Sequence, residues 1–201
     1  MDFVLSLAAA AVLTCAGNVW INKLYRKSKD LSFPKKISER ARFRLPISFV
    51  TLTISFYAAN GDLWLMAAFF LLLLMTVTDF EQYMLFDAMT LPLAIIGLVR
   101  IFWVGLNFWD GAITAIVGGS IFVLLALILK GGIGGGDVKL VAALGLWLGG
   151  AGLLNVVLVG SILGGITAVF MILFKHKTRR SYFAYGPYFT LTAIYFLLTA
   201  A

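Results

Sequence analysis

Lys130-Gly131-Gly132-Ile133-Gly134-Gly135-Gly136-Asp137-Val138-Lys139-Leu140 interrupts a chain that is otherwise almost continuous hydrocarbon. Five of the six residues from Gly131 to Gly136 are glycine. Glycine costs about 1 kcal/mol relative to alanine inside a helix. The run itself is therefore expected to be non-helical, a place where backbone comes close to something else. Asp137 stands where the run gives way to an apolar helix. A carboxylate beside a membrane span is a functional candidate, but Asp is also a preferred helix starter. The rest of the chain has to decide between the two.

Composition narrows the field. Of 201 residues, 62% are hydrophobic and 12% charged, which excludes an ordinary soluble domain. Apolar runs of span length recur throughout, so the chain reads as an all-α integral membrane protein whose partner along most of its surface is the lipid bilayer. The first run, Phe3 to Ile21, has no basic stretch before it and no small-residue cleavage site after it, so a retained helix is expected. Cys15 is the only cysteine and His176 the only histidine. A disulfide, a cysteine zinc site and a multi-histidine metal centre are all excluded within the chain. No metal or cofactor is expected.

Outward from the glycine run, the apolar stretches number about eight: 3–22, 47–59, 63–78, 88–106, 111–129, 138–148, 153–174 and 185–199. The segment Lys23 to Pro46 carries nine Lys and Arg residues and is expected on the cytoplasmic side. The connections 79–87, 130–137 and 175–184 then share that side. Fifteen of the sixteen basic residues fall there, Arg100 being the exception. The net charge of +7 thus reads as topology and headgroup contact, with no nucleic acid partner. Gly149 to Gly152 are expected to turn the chain. The glycine pairs at 118–119, 149–150 and 164–165 are expected to allow close helix packing.

This topology gives Asp79, which closes the third stretch, the same depth as Asp137, which opens the sixth. If those two helices pack together, the carboxylates approach. Two carboxylates in a partly dry site share one proton and titrate as a unit. That is the aspartic protease arrangement, in which one partner takes a proton from water and the other hydrogen-bonds the scissile carbonyl. Glu81 and Asp87 lie in the same short connection. They suit a negative mouth that attracts a basic peptide, and Asp87 suits equally the N-cap of the next helix. Lys139 suits a headgroup or structural contact. Asp62 and Asp110 lie at outer turns.

These residues resemble the type IV prepilin leader peptidases, membrane aspartic proteases of the GxGD type. The family's Gly-x-Gly-Asp-x-Lys-Leu is matched by Gly134-Gly135-Gly136-Asp137-Val138-Lys139-Leu140. Its first aspartate region is matched by Asp79, Asp87 and Leu91-Pro92-Leu93, and its late Gly-Pro motif by Tyr185-Gly186-Pro187-Tyr188. Gly17-Asn18-Val19-Trp20-Ile21 resembles the end of the family's first helix. The resemblance implies a GxGD protease fold, with Asp79 and Asp137 catalytic and Glu81, Asp87, Gly134, Gly136, Lys139, Gly186 and Pro187 in substrate-binding or loop roles. It implies cleavage of the basic leader from prepilin or pseudopilin precursors at the cytoplasmic face of a prokaryotic inner membrane. It further divides the chain into N-terminal helices with a basic loop, 1–60, and a peptidase membrane domain, 61–201.

Departures from the pattern fall at Phe86 and Gly131, where the family often has Pro and Glu, and at Ala184-Tyr185. The largest is the first cytoplasmic loop. Bifunctional relatives have a longer domain there with two cysteine pairs, linked to N-methylation of the processed pilin. Lys23 to Pro46 has no cysteine, so peptidase activity without methyl transfer is expected. Two other classes compete. A GxGD protease acting on signal-peptide remnants would not depend on a Gly before the cut. A proton- or cation-coupled membrane protein would carry further polar residues at mid-depth, and few are present.

Overall fold

The computed structural model describes residues 2–29, 31–129, 133–175 and 184–199. Lys130, Gly131, Gly132 and the basic segment from His176 to Arg180 lie outside the described residues. Among the described residues all regular structure is helical. The helices are α1 (Phe3–Lys27), α2 (Ile37–Arg40), α3 (Arg44–Ala58), α4 (Leu63–Gln82), α5 (Asp87–Val104), α6 (Phe108–Ile128), α7 (Gly135–Lys175) and α8 (Gly186–Thr199).

Helix α4 is the post around which the others stand. Asp62 caps its start, accepting from the N–H groups of Trp64 and Leu65 at 2.8 and 3.2 Å. Every residue from Leu71 to Asp79 is buried. A helix apolar on all sides has to be covered on all sides, and α1, α3, α5 and α8 cover this one. Helix α6 is equally apolar but exposes most of its surface, as suits a helix facing lipid.

Among the described residues five helices are long and apolar enough to cross a bilayer: Phe3–Lys27, Leu63–Gln82, Asp87–Val104, Phe108–Ile128 and Gly135–Met171. The last is not a straight rod. Gly149 breaks it, with φ 64° and ψ −175°. Gly136 faces Leu85, which also faces Gly186, while Gly164 faces Tyr185. A straight helix would part Gly136 from Gly164 by about 40 Å at 1.5 Å per residue. Both lie instead near the start of α8, so the chain doubles back at Gly149. Only glycine suits the position, because φ is positive and a Cβ would collide with the Asp110 carboxylate. Asp110 also accepts from the Gly150 N–H at 3.3 Å, which starts the returning arm.

The expected turn over Gly149 to Gly152 thus narrows to one residue. Close packing is real at Gly119, which meets Ala142, and at Gly164, which meets two tyrosines, but Gly165 faces open space. Two boundaries also differ from expectation. Helix α4 runs past Asp79 to Gln82, and α7 already includes Gly135 and Gly136. Those two glycines are therefore helical. At the first two positions of a helix the N–H groups have no intrahelical partner to lose, and glycine is tolerated there.

Candidate active site

Asp79 lies in the last full turn of α4 and is 6% exposed. The helix ends four residues later because Tyr83 turns left-handed, with φ 54°, and returns its N–H to the Asp79 carbonyl at 2.9 Å. The start of α8 is aimed at the Asp79 side chain. The Gly186 N–H serves its carboxylate. A Cβ on Gly186 would stand only 2.7 Å from Asp79 Oδ2. Unpaired N–H groups at a helix start carry partial positive charge, which favours an anion. Pro187 follows at a position where a missing N–H costs nothing. Below this contact, the Thr76 and Thr190 hydroxyls meet at 2.6 Å and tie α4 to α8.

Asp137 is the third residue of α7, partly exposed, and its carboxylate turns back towards Gly134. Its own N–H reaches the Gly134 carbonyl at 3.0 Å. Asp137 is therefore inside the first turn and not the N-cap. It lies close enough to Asp79 for its charge to act there. Helices α5 and α8 each pack against both α4 and α7, so the aspartates approach across the ends of a shared layer. Leu85 sits between the two elements, touching the positions of both Gly136 and Gly186. Two carboxylates so placed can hold one proton between them and polarise a water.

The other expected site residues separate into two groups. Glu81 does not stand at a mouth: it is 5% exposed and forms a buried ion pair with Arg44. Arg44 Nε donates to Glu81 Oε1 at 2.8 Å, and the Tyr25 hydroxyl donates to Oε2 at 2.9 Å. Arg44 Nη1 donates at 2.8 Å to both Asn18 and Asn22. A buried charge is tolerated when it is paired and its remaining hydrogen bonds are met, and this knot of α1, α3 and α4 meets them. Asp87, by contrast, is exposed. It opens α5 without capping it and receives Lys139 Nζ at 2.7 Å on both oxygens. The pair bridges the starts of α5 and α7.

The basic segment also makes contacts with the end of α4. Gln82, fully buried, accepts from the Phe33 N–H at 2.8 Å. Arg40 donates to the Phe80 carbonyl at 2.7 Å and stacks over Phe33, whose ring meets Tyr83 edge-on. The segment is thereby folded onto the end of α4. Sequence reasoning missed Arg44, Tyr25, Asn18 and Gln82. The available signal was that Arg44, Glu81 and Asn22 border apolar runs on one expected face, with Asn18 one turn inside.

Comparison with known proteins gives a consistent set of likenesses. The type IV leader peptidase family matches residues 65–169. A prepilin leader peptidase/N-methyltransferase of Neisseria gonorrhoeae is 36% identical over 127 residues, covering 60% of this chain and 43% of that protein. One from Pseudomonas aeruginosa is 31% identical over 157 residues, covering 72% and 54%. One from Burkholderia pseudomallei is 39% identical over 99 residues, covering 46% and 32%. The chain thus spans about half the length of the curated relatives it matches, or less. No solved structure matches it.

Proposed function

The chain belongs to the type IV leader peptidase family, and we propose that it is a membrane aspartic endopeptidase that removes the basic leader from prepilin-like or pseudopilin precursors. Asp79 and Asp137 form the catalytic pair. One, ionised, takes a proton from the attacking water, and the other donates a hydrogen bond to the scissile carbonyl. The observation that carries this reading is the approach of two carboxylates from distant parts of the chain, one buried and one partly exposed, at one end of the helical layer. Gly186 and Pro187 hold the start of α8 against Asp79. Gly134 and Gly136 let Asp137 and Leu85 approach without side-chain obstruction. Glu81 belongs to the support of Asp79, whereas Asp87 and Lys139 form a charged bridge at the rim.

Counting α1, α3, α4, α5, α6, the two arms of α7 and α8, the chain crosses a prokaryotic inner membrane eight times, with the aspartates at the cytoplasmic face. The distribution of basic residues supports that orientation. Methyl transfer is not part of the proposal, because the segment from Lys23 to Pro46 has no cysteine and is folded against α4. The chemistry needs no metal or cofactor.

The test is co-expression with a leader-bearing prepilin, followed by its mobility and new N-terminus. Leader loss that requires a Gly before the cut supports this reading. Cleavage indifferent to that Gly indicates a different GxGD protease. No cleavage of any pilin-like precursor removes the peptidase assignment and favours a coupling protein.

A further inference from the structure

A groove of about 380 Å³ opens beside the site, between the last turn of α1 and the connection from α4 to α5. Leu24, Lys27 and Ser28 form one wall, and Met84 to Ala88 the other. The second wall is unusual in its backbone. Met84, Leu85 and Phe86 lie between helices, and Phe86 is extended at φ −82° and ψ 133°. The Phe86 carbonyl is used, accepting from Met89 and Thr90. The N–H groups of Met84, Leu85 and Phe86 and the carbonyls of Met84 and Leu85 have no hydrogen-bond partner among the described residues. All three residues are half-buried.

We propose that Met84–Phe86 is a backbone template on which the scissile segment of the substrate docks as an added strand in this groove. The inference rests on the peptidase reading and says how that site holds its peptide. Partly buried peptide groups need partners. A short row of alternating donors and acceptors is complementary to another extended chain, and pairing of this kind supplies affinity through main-chain hydrogen bonds. A lipid headgroup offers no such alternating row.

The placement gives the docking its purpose. Leu85, in the middle of the row, touches the positions of Gly136 and Gly186, next to Asp137 and Asp79. A strand paired here would lie within one side chain, Leu85, of the elements that carry both carboxylates. The segment is also held in shape from both ends. Tyr83 is fixed by Phe33 and by its N–H bond to Asp79. Phe86 packs against Tyr25 with tilted rings 5.9 Å apart between centres, and Tyr25 is itself bound to Glu81. A template set in advance lowers the ordering cost of binding. Leu24 and Met84 make both walls partly apolar, and Lys27 and Asp87 lie on opposite walls.

The test uses disulfide crosslinking in the full-length protein in membranes. Met84→Cys would be combined with Cys15→Ser, to remove the exposed native thiol, and with Asp79→Asn. A series of prepilin peptides, each with one cysteine at successive positions around the cut, would be offered to it. Strand pairing predicts yields that alternate between high and low along consecutive positions. Equal yields at neighbouring positions, or no crosslink to a peptide that wild type cleaves, would overturn the proposal. A second measurement uses peptides N-methylated at single amides near the cut. Alternate amides should raise KM by about three- to tenfold each, the worth of one hydrogen bond, and the amides between them should not. An alternating crosslink without cleavage by the chain carrying Asp79 would keep the template and reject the peptidase. Cleavage without alternation in either measurement would do the reverse.

Discussion

The end of α4 and the start of α7 each present one aspartate, and they are held in opposite ways. Around Asp79 the structure is closed. Arg44 and Tyr25 grip Glu81, two residues on, Asn18 holds Arg44, Phe33 binds Gln82, and the start of α8 meets the carboxylate itself. Around Asp137 the structure is open. Glycines precede it, Gly135 has nothing within 4 Å of where a Cβ would be, and the exposed Lys139–Asp87 bridge is the one ion pair shown beside it among the described residues. One carboxylate is on a closely bonded post and the other on an open, glycine-flanked helix start. A pair built this way can admit a peptide between its members and still return one of them to a defined place.

Four substitutions sharpen or break that contrast. The largest effect on stability is expected at the buried knot. Arg44→Met strands the Glu81 carboxylate, and removing one partner of a buried pair costs about 3–5 kcal/mol. Loss of folded protein, followed by thermal unfolding in detergent, should show it. Unchanged stability would mean that the Asp79 side is not held by this knot. Next comes Gly186→Ala. Alanine suits a helix start, but its Cβ would press on Asp79 Oδ2 from 2.7 Å. We expect a fall in kcat of at least about tenfold, the scale of a lost stabilising contact in the transition state, with the amount of folded protein unchanged.

Gly136→Ala is the matching change on the loose side. Its Cβ would meet Leu85 Cβ at 2.8 Å, and the glycine-rich start of α7, rather than the held Met84–Phe86 segment, would have to shift to admit it. The drop in activity should be smaller than for Gly186→Ala, and an equal or larger drop would show that the Asp137 side is just as constrained. The smallest effect is expected at the rim. Lys139→Met removes an ion pair whose side chains are 57% and 66% exposed, and such pairs are worth about 0–1 kcal/mol. Unfolding temperature should hardly move, and raised salt should change the wild type little.

The same contrast separates what was legible in the sequence from what was not. Asp79, Asp137 and Gly186 could be found because each sits at the edge of an apolar run or in a short glycine motif, and both signals are local. The helices α1, α4, α5 and α6 follow from apolar length alone. Glu81 and Arg44 were misread because a charge partner is a tertiary property. Arg44 was one of nine cations in its segment, and nothing local distinguished it from the residues that meet solvent. Gly135 and Gly136 were expected outside the helix because propensity counts every glycine alike. They take the first two positions of α7, where the N–H groups have no intrahelical bond to weaken. The doubling back at Gly149 was visible as glycine, but its lock, the Asp110 carboxylate, lies on another helix.

The central claim is that Asp79 and Asp137 act as one catalytic pair. Its most direct test is leader cleavage by wild type, Asp79→Asn and Asp137→Asn, each matched for the amount of protein in the membrane. The account predicts leader loss with wild type and none with either variant. Cleavage near the wild-type rate by either variant would contradict it.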